Sequence, residues 1–146
     1  GEGDEGARDH VVDQALRQDR PGWYRSATLT LIDRLAENPA FNRFPLFLRF
    51  IPYLKARLLL ADGRVDEAEA LYREAMRRYA NIDSSMQMVA ETANAGYYAH
   101  AARLLDDAEA LYRQQPETSL KFPRRIYDQE IARIRAQLEE GIHAQP

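Results

Sequence analysis

Two octapeptides, DEAEALYR at Asp66–Arg73 and DDAEALYR at Asp106–Arg113, differ at one position and lie 40 residues apart in a chain of 146. A chain that repeats itself on this scale stacks similar units, each covering the apolar face of its neighbour. That restricts its fold more than composition does, provided the period is right. In a 40-residue register Gly63, within the turn signal ADGR, stands opposite Arg103 inside a helical run. A register set by the glycines keeps turn against turn. Steps of five, nine and twelve lead from Gly63 to Ala68, Tyr72 and Ala75, and from Gly96 to Ala101, Leu105 and Ala108. From Gly22 they reach Ala27, Leu31 and Arg34, so the first unit lacks only the last small residue. Seven residues before each glycine stand Ala15, Ala56 and Val89. The spacing is then 33 from Gly63 to Gly96 and 41 from Gly22 to Gly63, the excess supplied by AFNRFPLF. The octapeptides are one amphipathic face displaced by seven residues, nearly two helical turns.

The pattern has a physical sense. A glycine ends a helix where a left-handed conformation is needed. Small residues on both helices let their axes approach, and a large residue one turn later fills the gap between hairpins. Segments of 10 to 20 residues rich in Ala, Leu, Arg and Glu separate the turn signals. Val65, Ala68, Leu71, Tyr72, Ala75, Met76 and Tyr79 recur at helical spacing, as do Ile126, Tyr127, Ile131, Ile134 and Leu138. No segment alternates as a strand does. The chain therefore reads as all-α, with helices at about 8–19, 24–37, 46–61, 65–79, 83–95, 97–114 and 124–140. Pro52 is expected to kink or restart the third of these. Residues 8–140 form one domain, with hairpins at 8–38, 46–80 and 83–115 and a capping helix at 124–140. Pro123 suits its first turn and Gly141 its stop. Residues 141–146 read as a tail. Residues 1–7, beginning GEGDEG, read as a disordered leader or the edge of a piece of a larger protein.

GRVDEAEALYREAM (Gly63–Met76) resembles the second-helix consensus of the tetratricopeptide repeat. GWYRSATLTLIDRLAENP (Gly22–Pro39) adds the terminal proline of that family, and GYYAHAARLLDDA (Gly96–Ala108) is a weaker copy. The aromatic usual in the family's first helix is replaced by Val11, Pro52 and Ser85. The resemblance covers roughly residues 8–115 and implies an αα-superhelix of three hairpins. A related αα-solenoid, or an ordinary helical bundle with chance alanine spacing, is the alternative. In tetratricopeptide arrays the first helix of each hairpin lines a concave groove for a peptide or partner helix. Carried over, the groove positions are Val12, Leu16 and Asp19, then Phe50, Tyr53, Arg57 and Leu60, then Asp83, Met86, Gln87, Ala90 and Asn94. The Lys and Asn pattern that clamps a C-terminal carboxylate is missing, with Tyr53 and Arg57 at two of its places. Phe50, Tyr53 and Leu60 read equally well as core.

Chemistry-bearing motifs are scarce. His10, His100 and His143 are separated and fit no metal-ligand spacing. With no cysteine, disulfides and thiolate chemistry are excluded. There is no nucleophile elbow, P-loop or dinucleotide fingerprint. Ser84 and Ser85 beside Asp83 read as a helix cap. Asp106 with Asp107, and Glu139 with Glu140, point about 100° apart on a helix and read as solvated faces rather than acid–base pairs. Arg77 and Arg78 suit a helix C-terminus. Arg124 and Arg125 open a helix against its dipole, which suggests an anion or partner contact.

A net charge of -3 argues against nucleic-acid binding. The longest apolar region, FPLFLRFIPYLKARLLLA, is broken by Arg49, Pro52, Lys55 and Arg57 and falls short of a membrane span. No signal peptide is visible, and both cytoplasm and periplasm stay open. Arginine far exceeds lysine, a bias of GC-rich bacterial genomes. The expected function is a non-catalytic module that binds a peptide or protein partner, with no cofactor or metal. The alternative is an accessory domain of a larger bacterial enzyme or envelope protein. Self-association stays open.

Overall fold

The computed structural model describes residues 13–17, 22–41, 43, 45–79 and 81–145. Helices run over Gly22–Glu37 (α1), Pro45–Ala61 (α2), Val65–Tyr79 (α3), Ile82–Asn94 (α4), Tyr98–Gln114 (α5) and Arg124–Ala144 (α6). A helical turn at 13–16 precedes them, and short 3-10 turns lie at Pro39–Phe41 and Glu117–Ser119. No strand occurs among the described residues. The expected leader at 1–7, and most of the expected helix at 8–19, lie outside those residues.

The two turn glycines share one geometry. Gly63 and Gly96 have φ of 79° and 93°, which a residue with a Cβ adopts only under strain. After α2, the Arg64 amide donates to the Leu59 carbonyl (2.9 Å) and the Gly63 amide to Leu60 (3.1 Å). After α4, the Tyr97 amide donates to Thr92 (3.2 Å) and the Gly96 amide to Ala93 (2.9 Å). These are two Schellman motifs in matching register, and they satisfy carbonyls that the helix ends leave open. Ala68, Tyr72 and Ala75 after the first glycine, and Ala101, Leu105 and Ala108 after the second, are essentially without exposure. So are Ala15, Ala56 and Val89. The first unit departs from this pattern. Gly22 opens α1 without a left-handed φ, and Ala27 and Leu31 are exposed.

The chain forms two compact units, Gly1–Leu71 and Tyr72–Pro146, divided inside α3. In the first, α1 packs on α2. Leu29, Ile32, Ile51, Leu54, Leu58 and Leu59 are buried. Each such side chain contributes about 1.5–3 kcal/mol relative to exposure. Ion pairs Lys55–Asp33 (2.7 Å) and Arg25–Asp62 (3.3 Å) edge this core. α2 runs through Pro52 as one helix, so of the expected kink or restart the restart does not occur. Pro52 is buried, so packing holds the helix where the proline removes a backbone donor.

In the second unit α5 is central, packing on α4 and on α6. The two octapeptide tyrosines are both fully buried. The Tyr72 hydroxyl donates to Glu91 of α4 (2.7 Å), and the Tyr112 hydroxyl donates to Asp128 of α6 (3.1 Å) and to the Arg124 carbonyl (3.2 Å). A buried phenol needs such acceptors. The capping stripe narrows to Tyr127, Ile131 and Leu138, with Ile134 half-buried. Ile126 is left outside it, one helical step of about 100° from Tyr127.

Gly141 corrects the expected stop. α6 continues through it to Ala144. A Cβ at Gly141 would lie 2.9 Å from two atoms of the Tyr98 ring, so glycine lets this ring lie against α6. The Gln145 side-chain Nε2 also donates to the Gly96 carbonyl (2.8 Å), tying the end of α6 to the turn before α5.

Candidate functional site

The expected groove residues fall on α2 and α4. On α2, Phe50 is 44% exposed, Tyr53 and Arg57 are half-buried, and Leu60 is buried. The Arg57 guanidinium lies 5.9 Å from the Tyr53 ring centroid, within cation–π range. Leu60 belongs to the core of the first unit. Val12 and Asp19 lie outside the described residues, and Leu16 is half-buried.

On α4, the buried stripe is Ile82, Ser85, Met88, Val89 and Thr92. Gln87, Ala90 and Asn94 lie on the opposite side and are exposed, while Asp83 and Met86 are half-buried. Asp83 accepts from the Tyr127 hydroxyl at 3.3 Å and so binds α4 to α6. Asn81, not Ser84 or Ser85, caps this helix. Its side chain accepts from the amides of Asp83 (2.9 Å) and Ser84 (3.4 Å), and Ser85 is buried. The expected cap lay three or four residues too late because the helix begins earlier, at the buried Ile82.

The paired carboxylates also resolve. Asp106 and Asp107 diverge, as helical neighbours must. Asp107 pairs with Arg73 of α3, while Asp106 accepts from Arg135 of α6 (2.7 Å). Asp106 is exposed and Asp107 half-buried, as a solvated face requires, and each also ties α5 to a different helix. Arg135 also reaches Glu109 (2.9 Å), which pairs with Arg113 as well. Hydrogen bonds from Arg113 and then Arg135 hold the Glu109 carboxyl below its ordinary range. Burial, then the bond to Asp128, raises the Tyr112 phenol above its ordinary value. Arg64 holds Glu67 low across a two-bond pair at 2.6 and 2.9 Å.

Among the described residues no group of three or more His, Asp or Glu side chains could hold a metal ion. His100 is half-buried with an edge-on contact to Tyr97 (5.9 Å), His143 is exposed, and His10 lies outside the described residues. No helix is long and apolar enough to cross a membrane among the described residues. In the first unit a cleft of about 540 Å³ has Leu29 and Leu59 among its lining, with Lys55, Asp33, Arg64 and Glu67 also lining it.

The arginines at the start of α6 separate in role. Arg124 donates to the Gln115 carbonyl, lies 5.2 Å from the Tyr112 ring centroid and pairs with Glu117 at 3.4 Å. It holds the end of α5 against the start of α6. Arg125 is exposed and has no ion partner among the described residues. Beside it stand Phe122 and Ile126, 54% and 38% exposed. Sequence reading singled out the arginine pair but not the two apolar neighbours, because Ile126 matched the spacing of the buried stripe.

No family model, curated protein or solved structure matches this chain.

Proposed function

We propose that this chain is a non-catalytic interaction module of the tetratricopeptide-like kind, taking a peptide or partner protein on an exposed helix face. The observation that carries this reading is the pair of Schellman turns at Gly63 and Gly96, 33 residues apart, each followed by the same three buried positions. Helical hairpins built this way devote their small residues to packing and leave the other helix faces as extended surface. On α4 that surface is Gln87, Ala90 and Asn94, flanked by Met86. Its mix of amide and thioether groups suits a peptide held by side-chain hydrogen bonds and adaptable apolar contact.

The test is a random peptide library panned against the whole chain, followed by affinity measurement on the enriched peptides. Peptides that lose at least about tenfold in affinity to Ala90→Arg, or to Phe50→Ser on α2, are expected; tenfold corresponds to 1.4 kcal/mol. Enrichment of nothing, or of peptides indifferent to both substitutions, would contradict the proposal.

A further inference from the structure

We infer that the junction leading into α6 is a docking surface for an acidic amphipathic peptide, carried by Phe122, Ile126, Lys121 and Arg125. This surface does not depend on the repeat register or on the α4 face.

Two large apolar side chains are partly exposed here, Phe122 at 54% and Ile126 at 38%, although α6 has a well-formed buried stripe beside them. Phe122 touches the Tyr127 ring at a centroid distance of 6.0 Å, yet more than half of it stays exposed. Ile126 lies in the first turn of α6. A cleft of about 460 Å³ opens beside Phe122, lined by Leu120, Lys121, Phe122 and Pro123 with the paired Arg124 and Glu117. Both apolar side chains remain partly open to solvent although Tyr127 and Ile131 beside them are buried.

Charge then selects the occupant. Lys121 and Arg125 are exposed and have no ion partner among the described residues. The neighbouring acids are committed elsewhere: Glu117 to Arg124, Asp128 to the Tyr112 hydroxyl and Glu130 to Arg133. Most arginines around this unit have a carboxylate, so two free cations flanking two exposed apolar groups are a local exception in a chain of net charge -3. A peptide with carboxylates spaced around one or two large apolar residues complements both features. Anionic membranes are the poorer match, because surface recruitment of that kind uses clusters of roughly 4–8 cations. Here two cations are free, and Glu117 projects beside them.

The experiment is fluorescence anisotropy with a labelled peptide that alternates glutamates with phenylalanine and leucine. Controls are the same peptide with lysine for glutamate, and one with serine for the apolar residues. The full chain is expected to bind the first peptide, more weakly as salt rises, and neither control. Phe122→Ser and Arg125→Glu should each weaken binding by about tenfold or more, as central anchors do. Both sites are exposed, and thermal melts of the two variants check that the fold persists. Ala90→Arg on α4 should leave this binding unchanged, which separates it from the α4 face. The proposal is overturned if the acidic peptide does not bind, if it binds both variants equally, or if the lysine peptide binds as well. It is also overturned if anionic phosphatidylserine vesicles bind in a Phe122-dependent way while the peptide does not. A dimer in sedimentation that Phe122→Ser dissolves would overturn it too, since a second copy would then be the occupant.

Discussion

The buried hydroxyl of Tyr112 donates to the Asp128 carboxylate of α6 across 3.1 Å. Its octapeptide counterpart, Tyr72, makes the same kind of bond to Glu91 of α4. In both places the octapeptide tyrosine fills the core with its ring and fastens the next helix with its hydroxyl. Tyr112→Phe keeps the ring and loses the bond, and should cost about 1–2 kcal/mol. Tyr112→Ala loses both and should cost about 3–5 kcal/mol. Urea unfolding of the two variants checks the split. Equal costs would mean that the hydroxyl, not the ring, does most of the holding.

Gly141 offers a change of sign. Alanine in an exposed helix is ordinarily better than glycine by about 1 kcal/mol. At Gly141 the new methyl would meet the Tyr98 ring at 2.9 Å, so Gly141→Ala should destabilise the protein. In a Tyr98→Ala background the clash is gone and the same substitution should stabilise. Melting temperatures of the four proteins in this cycle check it. A stabilising Gly141→Ala in the parent would mean that the ring simply moves aside.

Much of this was legible beforehand, and the failures share a cause. The helices from Gly22 onward, the turns at Gly63 and Gly96, and the burial of Ala68 and Ala101 followed from local spacing and backbone conformation. Gly141 was misread because a glycine near a helix end looks the same whether it stops the helix or admits a ring from another helix. The solvated face of Asp106 and Asp107 was legible but their partners were not, because Arg73 and Arg135 reach them from helices far away in sequence. Ile126 looked like core because helical spacing tolerates a neighbour of the true stripe. The first repeat copy kept its glycine and alanine but not their burial at Ala27.

Arg135 gives a pH dependence with a definite sign. Glu109 has its pKa lowered in the folded state by Arg113 and Arg135. Its contribution is therefore present above the unfolded carboxylate value of about 4.3 and is lost as pH falls through the lower folded value. Arg135→Gln should cost at most about 1 kcal/mol at neutral pH, because the pair is partly exposed. That difference should shrink as pH falls through the lowered folded value and vanish once the carboxyl is protonated in both states. A difference that persists in acid would assign the loss to packing of the arginine stem.

Removal of α6 tests its capping role. A chain ending at Ser119 loses the partners of Tyr112 and leaves Tyr98 without Gly141. Its buried side chains Tyr127, Ile131 and Leu138 go as well. Aggregation, or a loss of stability of more than about 3 kcal/mol, is expected from the apolar area uncovered. A truncated chain that remains monomeric and equally stable would make α6 an appendage.

The most direct measurement of partner binding is an amide chemical-shift titration of the labelled chain with a peptide enriched against it. Shifts are expected to concentrate at Gln87, Ala90 and Asn94, while the fully buried Leu104 and Leu105 of α5 stay unmoved. Shifts confined to other helices, or spread through the core as in global rearrangement, would contradict binding on the α4 face.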